Sequence, residues 1–360
     1  MQSARLLPAE WAPQAAVLLT WPHDAGDWGT HLPEVEDNFF TLARTIARFQ
    51  PLLINCRDQF LANRVRQQLL DDGVEAEKLH MTVAPSNDVW ARDHGPITVL
   101  DNGQPRLFNF CFNGWGGKFE AGLDNRISEH LHAQGCFGSS PIETVDWVLE
   151  GGAIETDGHG VMLTTTHCLP LPTRNPGKSL EEFEQLFHRI FGIQTTHWLN
   201  HGHLTGDDTD GHIDTLARFA STDSIVYQGC NDPQDEDFPA LDAMREELEA
   251  LRQPDGKPYR LHALPLPAPI HDEDGQRLPA SYANFLIING AVLLPVYNDP
   301  ADTQATETLR RCFPDREIIC VDCRALIRQY GSLHCVTMQI PAGVTVSSPA
   351  NPALTAATQA

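Results

Sequence analysis

Positive charge is scarce in this sequence. It has 25 lysine and arginine residues against 48 aspartate and glutamate residues, which gives a formal net charge of -23 at pH 7. A field of this sign repels a phosphate backbone and attracts cations. The charge therefore predicts that nucleic acid is not a partner, and it suits a small cationic ligand.

Long hydrophobic runs are also missing. The longest apolar stretch, residues 285–297, is interrupted by Asn289, Gly290 and Pro295 and is too short to cross a bilayer. Residues 1–13 contain no basic segment followed by an apolar run, which an export signal would have. The nine cysteines are an odd number without a framework, as is typical of reduced thiols. We therefore expect a cytoplasmic protein with no membrane partner.

Segments of strand and helix character alternate along the chain. Short apolar runs that end at Pro, Gly or Asn predict buried strands, and helical spacing of apolar residues predicts helices over residues 34–49 and 180–191. This alternation predicts the α/β class. No low-complexity linker divides the chain, so we expect a single domain over residues 1–343. Residues 344–360 are small, polar and aperiodic, which predicts a disordered tail.

Two segments combine carboxylates with turn residues. Residues 87–96 contain Asp88, Trp90 and Asp93 before a Gly-Pro pair, and a Trp beside carboxylates offers a flat cation a π face and anionic edges. Glu150 ends an apolar run before two glycines, which permit close backbone approach. The alternatives are a solvated loop with an internal ion pair and an ordinary Gly-Gly hairpin with a surface Glu.

Two further segments carry groups that could transfer protons or attack a substrate. After Gly211, apolar and polar residues alternate, which predicts a strand with His212 and Asp214 on one face. An adjacent His and Asp can hold a charged group and exchange a proton with it. Cys335 lies where a glycine-containing loop enters an apolar strand, and a cysteine there is either a nucleophile or a small buried hydrophobe.

Two other groupings suggest different chemistry. His201 and His203, with His212 nearby, could form a divalent metal centre, although a histidine-rich turn explains them as well. Cys320 and Cys323 could form a redox pair or half of a zinc site. No second Cys-x-x-Cys is present, and Cys320 lies in an apolar run, so we predict a core position for it.

Together these segments resemble the agmatine deiminase family, part of a guanidine-modifying superfamily that includes arginine and peptidylarginine deiminases. The matching motifs lie in order at residues 7–11, 19–22, 88–96, 150–152, 209–214, 281–285, 289–290 and 333–337. The resemblance implies a five-bladed α/β propeller with pseudo-fivefold symmetry. It also implies hydrolysis of agmatine to N-carbamoylputrescine and ammonia, in putrescine biosynthesis, without a metal or other cofactor.

The resemblance implies a role for each main site residue. Cys335 would attack the guanidinium and form a covalent amidino-cysteine intermediate, with His212 as general acid and base and Glu150 orienting it. Asp93 and Asp214 would bind the guanidinium nitrogens. Because nearby carboxylates raise the pKa of a thiol, a bound cation or a protonated histidine has to favour the thiolate.

The substrate is inferred from charge. Agmatine carries a distal ammonium, which an acidic rim such as Asp208 or Asp210 would suit. Asp88 is also expected to bind the substrate, and Trp90 would pack against the guanidinium or its alkyl chain. Free arginine would need a cation for its carboxylate, for which Arg92 and Arg218 are the candidates. Peptidyl arginine, an amidinotransferase reaction and a polyamine-binding protein without activity remain alternatives, and a homodimer is left open. Residues 330–333 differ from the glycine run that many family members have before the His-Cys pair.

Overall fold

Seventeen short strands and eight helices alternate along residues 5–349, the part of the chain that the computed structural model describes. The strands are β1 (Arg5–Leu6), β2 (Gln14–Thr20), β3 (Leu52–Cys56), β4 (Leu79–Val83), β5 (Ile97–Asp101), β6 (Gln104–Cys111), β7 (Ile142–Val148), β8 (Ile154–Thr156), β9 (Val161–Thr165), β10 (Thr195–Leu199), β11 (Ala217–Ser221), β12 (Ser224–Gln228), β13 (Arg260–Leu264), β14 (Leu286–Ile288), β15 (Ala291–Val296), β16 (Glu317–Asp322) and β17 (Thr337–Pro341). The helices are α1 (Leu32–Ala47), α2 (Gln59–Asp71), α3 (Ala91–His94), α4 (Gly114–Gly117), α5 (Ile127–Ala133), α6 (Leu180–Phe191), α7 (Phe238–Ala250) and α8 (Ala301–Cys312). Short 3-10 helices cover Gly29–His31, Ala76–Lys78, Asp124–Arg126, Gly151–Ala153, Ile213–Thr215 and Leu326–Gln329. The predicted α/β class is confirmed.

The strands of the described residues form five sheets, and four of them share one arrangement. In each of these four, two strands form an antiparallel hairpin, and a third strand lies parallel to the second. The three-strand units are β5–β6–β7, β8–β9–β10, β11–β12–β13 and β14–β15–β16. Because a parallel connection needs a crossover, the chain passes through α5, α6, α7 or α8 before the third strand.

The fifth sheet joins distant parts of the chain. Strand β17 pairs antiparallel with β2, and β3 and β4 follow in parallel. This pairing places Cys335, two residues before β17, among segments that come much earlier in the sequence. The sheet therefore determines where the predicted nucleophile lies.

Local sequence signals explain the well-defined helices. Helix α6 begins with a capping box, in which the Ser179 hydroxyl accepts from the Glu182 backbone N–H and the Glu182 carboxylate accepts from the Ser179 N–H. It ends at Gly192, whose φ of 73° lies in the left-handed region that glycine adopts readily. The predicted helix over residues 180–191 and its glycine stop are both observed.

The predicted strand through His212 and Asp214 is wrong. His212 comes directly before the 3-10 helix Ile213–Thr215, and β11 begins only at Ala217. The Thr209 hydroxyl accepts from the His212 N–H at 3.1 Å, and the Thr215 hydroxyl donates to the His212 carbonyl at 2.9 Å. These side chain–backbone bonds replace a strand ladder at this point.

Two smaller predictions also need correction. Cys320 is exposed rather than in the core: it lies on β16, the edge strand of its sheet, with Sγ 3.4 Å from Thr306 Oγ1. Residues 344–349 were expected to start a disordered tail, but Val344 is buried and the Ser347 N–H donates to the Cys136 carbonyl. The rest of that prediction, residues 350–360, lies outside the described residues. No helix in residues 5–349 is long and apolar enough to cross a membrane.

Candidate active site

A cavity of about 230 Å³ reaches two of the predicted catalytic side chains, Asp93 and Cys335. Both of these residues are buried, whereas Asp27 at the cavity wall is exposed. The remaining wall is mainly aromatic and acidic, with one arginine. It includes Asp88, Trp90, Trp115, Phe119, Asp208, Thr209, Arg328, Gln329, Tyr330 and Gly331. A pocket of this composition suits a flat cation with an apolar chain.

Asp93 is held on the single turn of α3. Its Oδ1 accepts from the Gly152 N–H at 3.0 Å, and its Oδ2 accepts from Trp115 Nε1 at 3.0 Å. Burial raises the pKa of Asp93, and the carboxylates of Asp214 and Glu150 add to this rise while His212 opposes it. A cation bound against Asp93 would favour its ionised form.

His212 is completely buried, and neither of its ring nitrogens has a hydrogen-bond partner within the described residues. Its Nδ1 lies 3.7 Å from Asp93 Oδ1. Glu150 was expected to orient this histidine, and its carboxylate does lie within 4.8 Å of the imidazole. Glu150 Oε1, however, accepts a hydrogen bond from Arg174 Nε at 2.7 Å. Both imidazole nitrogens therefore lack a fixed hydrogen-bond partner in residues 5–349.

Cys335 lies against Asp214 and Asn284. Its Sγ is 3.8 Å from Asp214 Oδ2 and 3.3 Å from Asn284 Nδ2. Burial raises the pKa of the Cys335 thiol well above its ordinary value, and the carboxylates of Asp214 and Asp93 raise it further. Burial alone would also raise the pKa of Asp214, but the hydrogen bond and charge of His334 hold it below its ordinary value. These shifts favour a neutral thiol at Cys335 and an ionised carboxylate at Asp214.

Trp90 closes one side of the cavity. Its Nε1 donates to Asp88 Oδ2 at 2.9 Å, and its ring packs so closely on Gly331 that a Cβ there would come within 2.1 Å of Cζ3. Residues 330–333 differ from the family's glycine run and contain a single glycine, Gly331. The close contact with Trp90 explains why this position has no side chain. Asp88 and Asp208, predicted to bind substrate, both line the cavity. Burial raises the pKa of Asp88 to about 6 and that of Asp208 to about 7.

Comparison with known proteins places this site in a family. The sequence model of the Porphyromonas-type peptidyl-arginine deiminases matches residues 6–341. The chain belongs to this family. An agmatine deiminase from Stutzerimonas stutzeri (strain A1501) is 32% identical to it, over 95% of this chain and 96% of the relative. The resemblance inferred from the motifs is confirmed.

Solved structures of similar proteins agree with this family membership. A Porphyromonas gingivalis protein described provisionally as an arginine deiminase is 50% identical, with a TM-score of 0.89 over 94% of this chain and 99% of that one. An agmatine deiminase from C. jejuni, a cysteine-to-serine variant solved with substrate bound, is 34% identical, with a TM-score of 0.87 over 95% of this chain and 97% of that one. The α/β fold of this chain is thus the fold of the family.

Five residues that the sequence analysis did not single out complete the site. Asn284 and His334 contact Cys335 and Asp214, and Glu10 contacts His334 in turn. All three lie in segments that matched the family, but nothing in those segments shows which side chains meet. Trp115 bonds to Asp93, and Arg174 bonds to Glu150. Their roles depend on contacts between segments far apart in sequence.

The histidines proposed for a metal centre do not converge. Within residues 5–349, the one group of three His, Cys, Asp or Glu side chains whose ligand atoms lie within 4.8 Å is Glu150, Cys168 and His212. His201 and His203 are exposed and outside this group, and His201 bonds to Glu247. The alternative of a metal-dependent hydrolase built on His201, His203 and His212 is therefore wrong.

The two arginines considered for a substrate carboxylate have structural partners instead. Arg218 is fully buried and bonds to Glu10 at 2.9 Å and Glu155 at 2.7 Å. Arg92 is buried as well and donates to the Gln339 side chain at 2.6 Å. Neither lines the cavity that contains Cys335. Both therefore support the fold rather than bind a substrate carboxylate.

Proposed function

We propose that this protein hydrolyses agmatine to N-carbamoylputrescine and ammonia, with Cys335 as the nucleophile. The observation that carries the proposal is the position of Cys335 beside two buried carboxylates, Asp93 and Asp214, in a cavity with aromatic and acidic walls. Attack on a guanidinium carbon requires a nucleophile, and anions and an aromatic wall are suited to bind the cation. The agmatine deiminases among its relatives support the same assignment.

Binding prepares the substrate for attack. The carboxylates of Asp93 and Asp214 bind guanidinium nitrogens and hold the planar cation with its carbon facing Cys335 Sγ. Asp214 Oδ1 is buried without a hydrogen-bond partner in the described structure, so it has an acceptor site free for a substrate N–H. The positive charge of the substrate lowers the free energy of the Cys335 thiolate.

The reaction then takes place in two stages at the same carbon. The thiolate adds to the guanidinium carbon, and the tetrahedral adduct expels ammonia after His212 donates a proton to the leaving nitrogen. The resulting S-alkylthiouronium is covalently attached to Cys335. His212 removes a proton from water as it attacks the same carbon. The second adduct then loses its hydroxyl proton to the released ammonia or to solvent as it collapses to N-carbamoylputrescine and the Cys335 thiolate.

The far end of the substrate meets the acidic rim. We assign the distal ammonium of agmatine to Asp88 and Asp208, with Trp90 against the alkyl chain. A cation at this position favours the ionised form of both carboxyls, whose pKa values burial raises to about 6 and about 7. Asp210 does not contribute, because Lys118 and Arg174 already bond to its Oδ2.

Arginine is the second candidate substrate, because one cation also lines the cavity. Arg328 forms part of its wall, and its guanidinium bonds to Glu273 Oε1 at 2.6 Å. A substrate carboxylate would have to compete with Glu273 for this arginine. The provisional assignment of the 50% identical P. gingivalis protein as an arginine deiminase points to the same candidate.

Steady-state ammonia release distinguishes these substrates. We expect release from agmatine to exceed release from free arginine and from a blocked arginine peptide, and Cys335→Ser to abolish it. Release without an added amine separates hydrolysis from amidino transfer, and unchanged rates after exhaustive chelation would support a reaction without a metal. Mass spectrometry of quenched enzyme should detect the adduct on Cys335. A higher kcat/KM for arginine would overturn the substrate assignment.

The five sheets support a finer description of the fold. We infer that they are the five blades of a pseudo-fivefold propeller in one domain over residues 5–343, because four of them repeat the same three-strand unit with a crossover helix. In this arrangement the sheet with β17 and β2 is the blade that pairs the last described strand with a strand near the start of the chain.

We also propose that the protein is a cytoplasmic homodimer. Light scattering of the purified protein would test the oligomeric state, and fractionation of the source cells would test the location.

A further inference from the structure

His334 lies directly between two buried carboxylates. Its Nδ1 is 2.7 Å from Asp214 Oδ2, and its Nε2 is 2.6 Å from Glu10 Oε2. Only 1% of the His334 side chain is exposed. Since an ionised carboxylate only accepts hydrogen bonds, both contacts are satisfied together when each ring nitrogen carries a proton. The geometry therefore calls for an imidazolium between two carboxylates.

We propose that His334 is a positioning residue, which Glu10 holds as an imidazolium and which fixes Asp214 for the guanidinium. This proposal deepens the proposed function, on which it rests. The bond to His334 occupies Asp214 Oδ2 and leaves Oδ1, buried and unpartnered, as the atom that faces the substrate. Glu10 acts from a segment more than 300 residues away in sequence.

Glu10 is itself held rigidly as an anion. Its Oε1 accepts from the Ile287 N–H at 2.7 Å, and its Oε2 accepts from Arg218 at 2.9 Å as well as facing His334. Burial alone would raise the pKa of Glu10, but the charges of His334, Arg218 and Arg92 hold it well below its ordinary value. With Oε1 on the backbone and Oε2 on two side chains, the carboxylate cannot rotate away without breaking several bonds.

The buried charges near the site support a proton on His334. Five carboxylates are buried there with three guanidinium groups: Glu10, Asp93, Glu150, Glu155 and Asp214 against Arg92, Arg174 and Arg218. With all of them ionised, two negative charges are uncompensated, and an imidazolium at His334 reduces this excess to one.

His94 provides a matched reference for the protonation of His334. It too is a buried histidine, directly beside Asp93 in sequence, but its Nε2 meets the Thr20 hydroxyl at 3.3 Å and its Nδ1 has no partner in the described structure. Burial lowers the pKa of His94 to about 3, so its ring is neutral. The two histidines therefore differ in their carboxylate contacts rather than in burial.

Nuclear magnetic resonance of histidine-labelled Cys335→Ser protein tests the charge state without any turnover. We expect both ring nitrogens of His334 to show imidazolium chemical shifts at pH 7, with His94 showing one unprotonated nitrogen. An unprotonated nitrogen on His334 would overturn the proposal. This measurement stays informative even if the wild-type protein releases no ammonia from agmatine, a result that would refute the proposed function instead.

Kinetics of two glutamate variants test the effect on the substrate. Glu10 and Glu155 both bond to Arg218, but Glu10 alone faces His334. We expect Glu10→Gln to raise KM for agmatine by about tenfold or more, and Glu155→Gln to leave it within about twofold, since only the former weakens binding through Asp214. A loss of correctly folded protein lowers apparent kcat and leaves KM unchanged. Equal KM values for the two variants would contradict the positioning role.

Discussion

The unsatisfied atoms of the site are those that the proposed substrate would contact. Both ring nitrogens of His212 and Oδ1 of Asp214 are buried without hydrogen bonds in the described structure. Each such group costs about 1–3 kcal/mol when it is buried without a partner. A guanidinium with several N–H donors offers a partner to Asp214, and leaving ammonia and attacking water offer partners to His212. Selectivity for this ligand therefore depends on how well it provides partners for these buried groups.

Cys335 should become a thiolate mainly when a cation is bound. Burial and the carboxylates of Asp214 and Asp93 raise the pKa of its thiol, so the neutral form predominates at pH values below that raised pKa. A bound guanidinium opposes both effects and lowers the pKa. We expect the ultraviolet absorbance of the thiolate to appear at lower pH when guanidinium ion is added at a concentration that does not denature the protein.

The control for this titration is Cys335→Ser, whose spectrum is subtracted at each pH. The subtraction also removes the signal of Cys168, a second buried cysteine whose pKa burial raises. Superimposable titration curves with and without the cation would show that the substrate does not activate the nucleophile.

At the scale of elements, the sequence indicated segments that the fold brings together, but it did not predict the local structure of all of them. Asp93 and Cys335 line the cavity as expected, and a glycine-containing loop does precede the strand after Cys335. The alternation of apolar and polar residues around His212, however, belongs to a buried 3-10 turn and not to a strand. Arg174 carried no signal at all, because its bonds to Glu150 and Asp210 join segments that only the folded chain brings together. The local sequence pattern therefore indicates candidate site residues, whereas contacts between distant segments determine the partners of these residues.

Gly152 leaves no room for a side chain in the 3-10 turn Gly151–Ala153. A Cβ at this position would lie 2.5 Å from His212 Nδ1, 2.9 Å from Asp93 Oδ1 and 3.2 Å from Asp214 Oδ2. Since misplacement of catalytic groups by about 1 Å can cost roughly 100-fold in rate, we expect Gly152→Ala to lower kcat/KM for agmatine by about that factor.

Gly122→Ala is the matched control for Gly152→Ala. A Cβ at Gly122 meets no atom within 4 Å, so this variant should keep wild-type kinetics. Circular dichroism should show the same fold for both variants. Wild-type kcat/KM for Gly152→Ala would mean that the site tolerates displacement of these three side chains.

Arg174 should stabilise the loops of the site far more than Lys118 does, although both bond to Asp210. Arg174 is fully buried and also binds the fully buried Glu150, whereas the Lys118 side chain is 39% exposed. Arg174→Met leaves Glu150 without its cation, which should lower the free energy of unfolding by about 3–5 kcal/mol. Lys118→Met should cost about 1 kcal/mol or less. Urea unfolding measures the free energy of unfolding of both variants. Equal losses of this free energy would show that the buried Arg174–Glu150 pair contributes no more to stability than the exposed Lys118–Asp210 pair.

At the scale of the whole molecule, the sequence hid the internal repeat that the structure shows. Four of the five sheets share a three-strand unit but no sequence motif, because each unit must only supply a buried middle strand and a helix to cover it. All five residues of β9 and of β12 are buried, whereas the outer strand β7 has a single buried position. A repeat defined by backbone pairing rather than by residue identity is not visible in one sequence. The α/β class could be predicted from the sequence because it depends only on the alternation of strands and helices.

The charge of the whole chain should assist capture of a cationic substrate. With a formal net charge of -23, the protein attracts agmatine, which carries two positive charges, and salt screens this attraction over about 10 Å at 0.1 M. We expect kcat/KM for agmatine to fall as sodium chloride is raised, while kcat at saturating substrate changes little because the chemistry occurs in a buried site. The same series with sucrose in place of salt controls for viscosity and osmotic effects. A kcat/KM that is independent of salt would mean that the contacts within the cavity, rather than the field of the whole molecule, account for recognition of the cation.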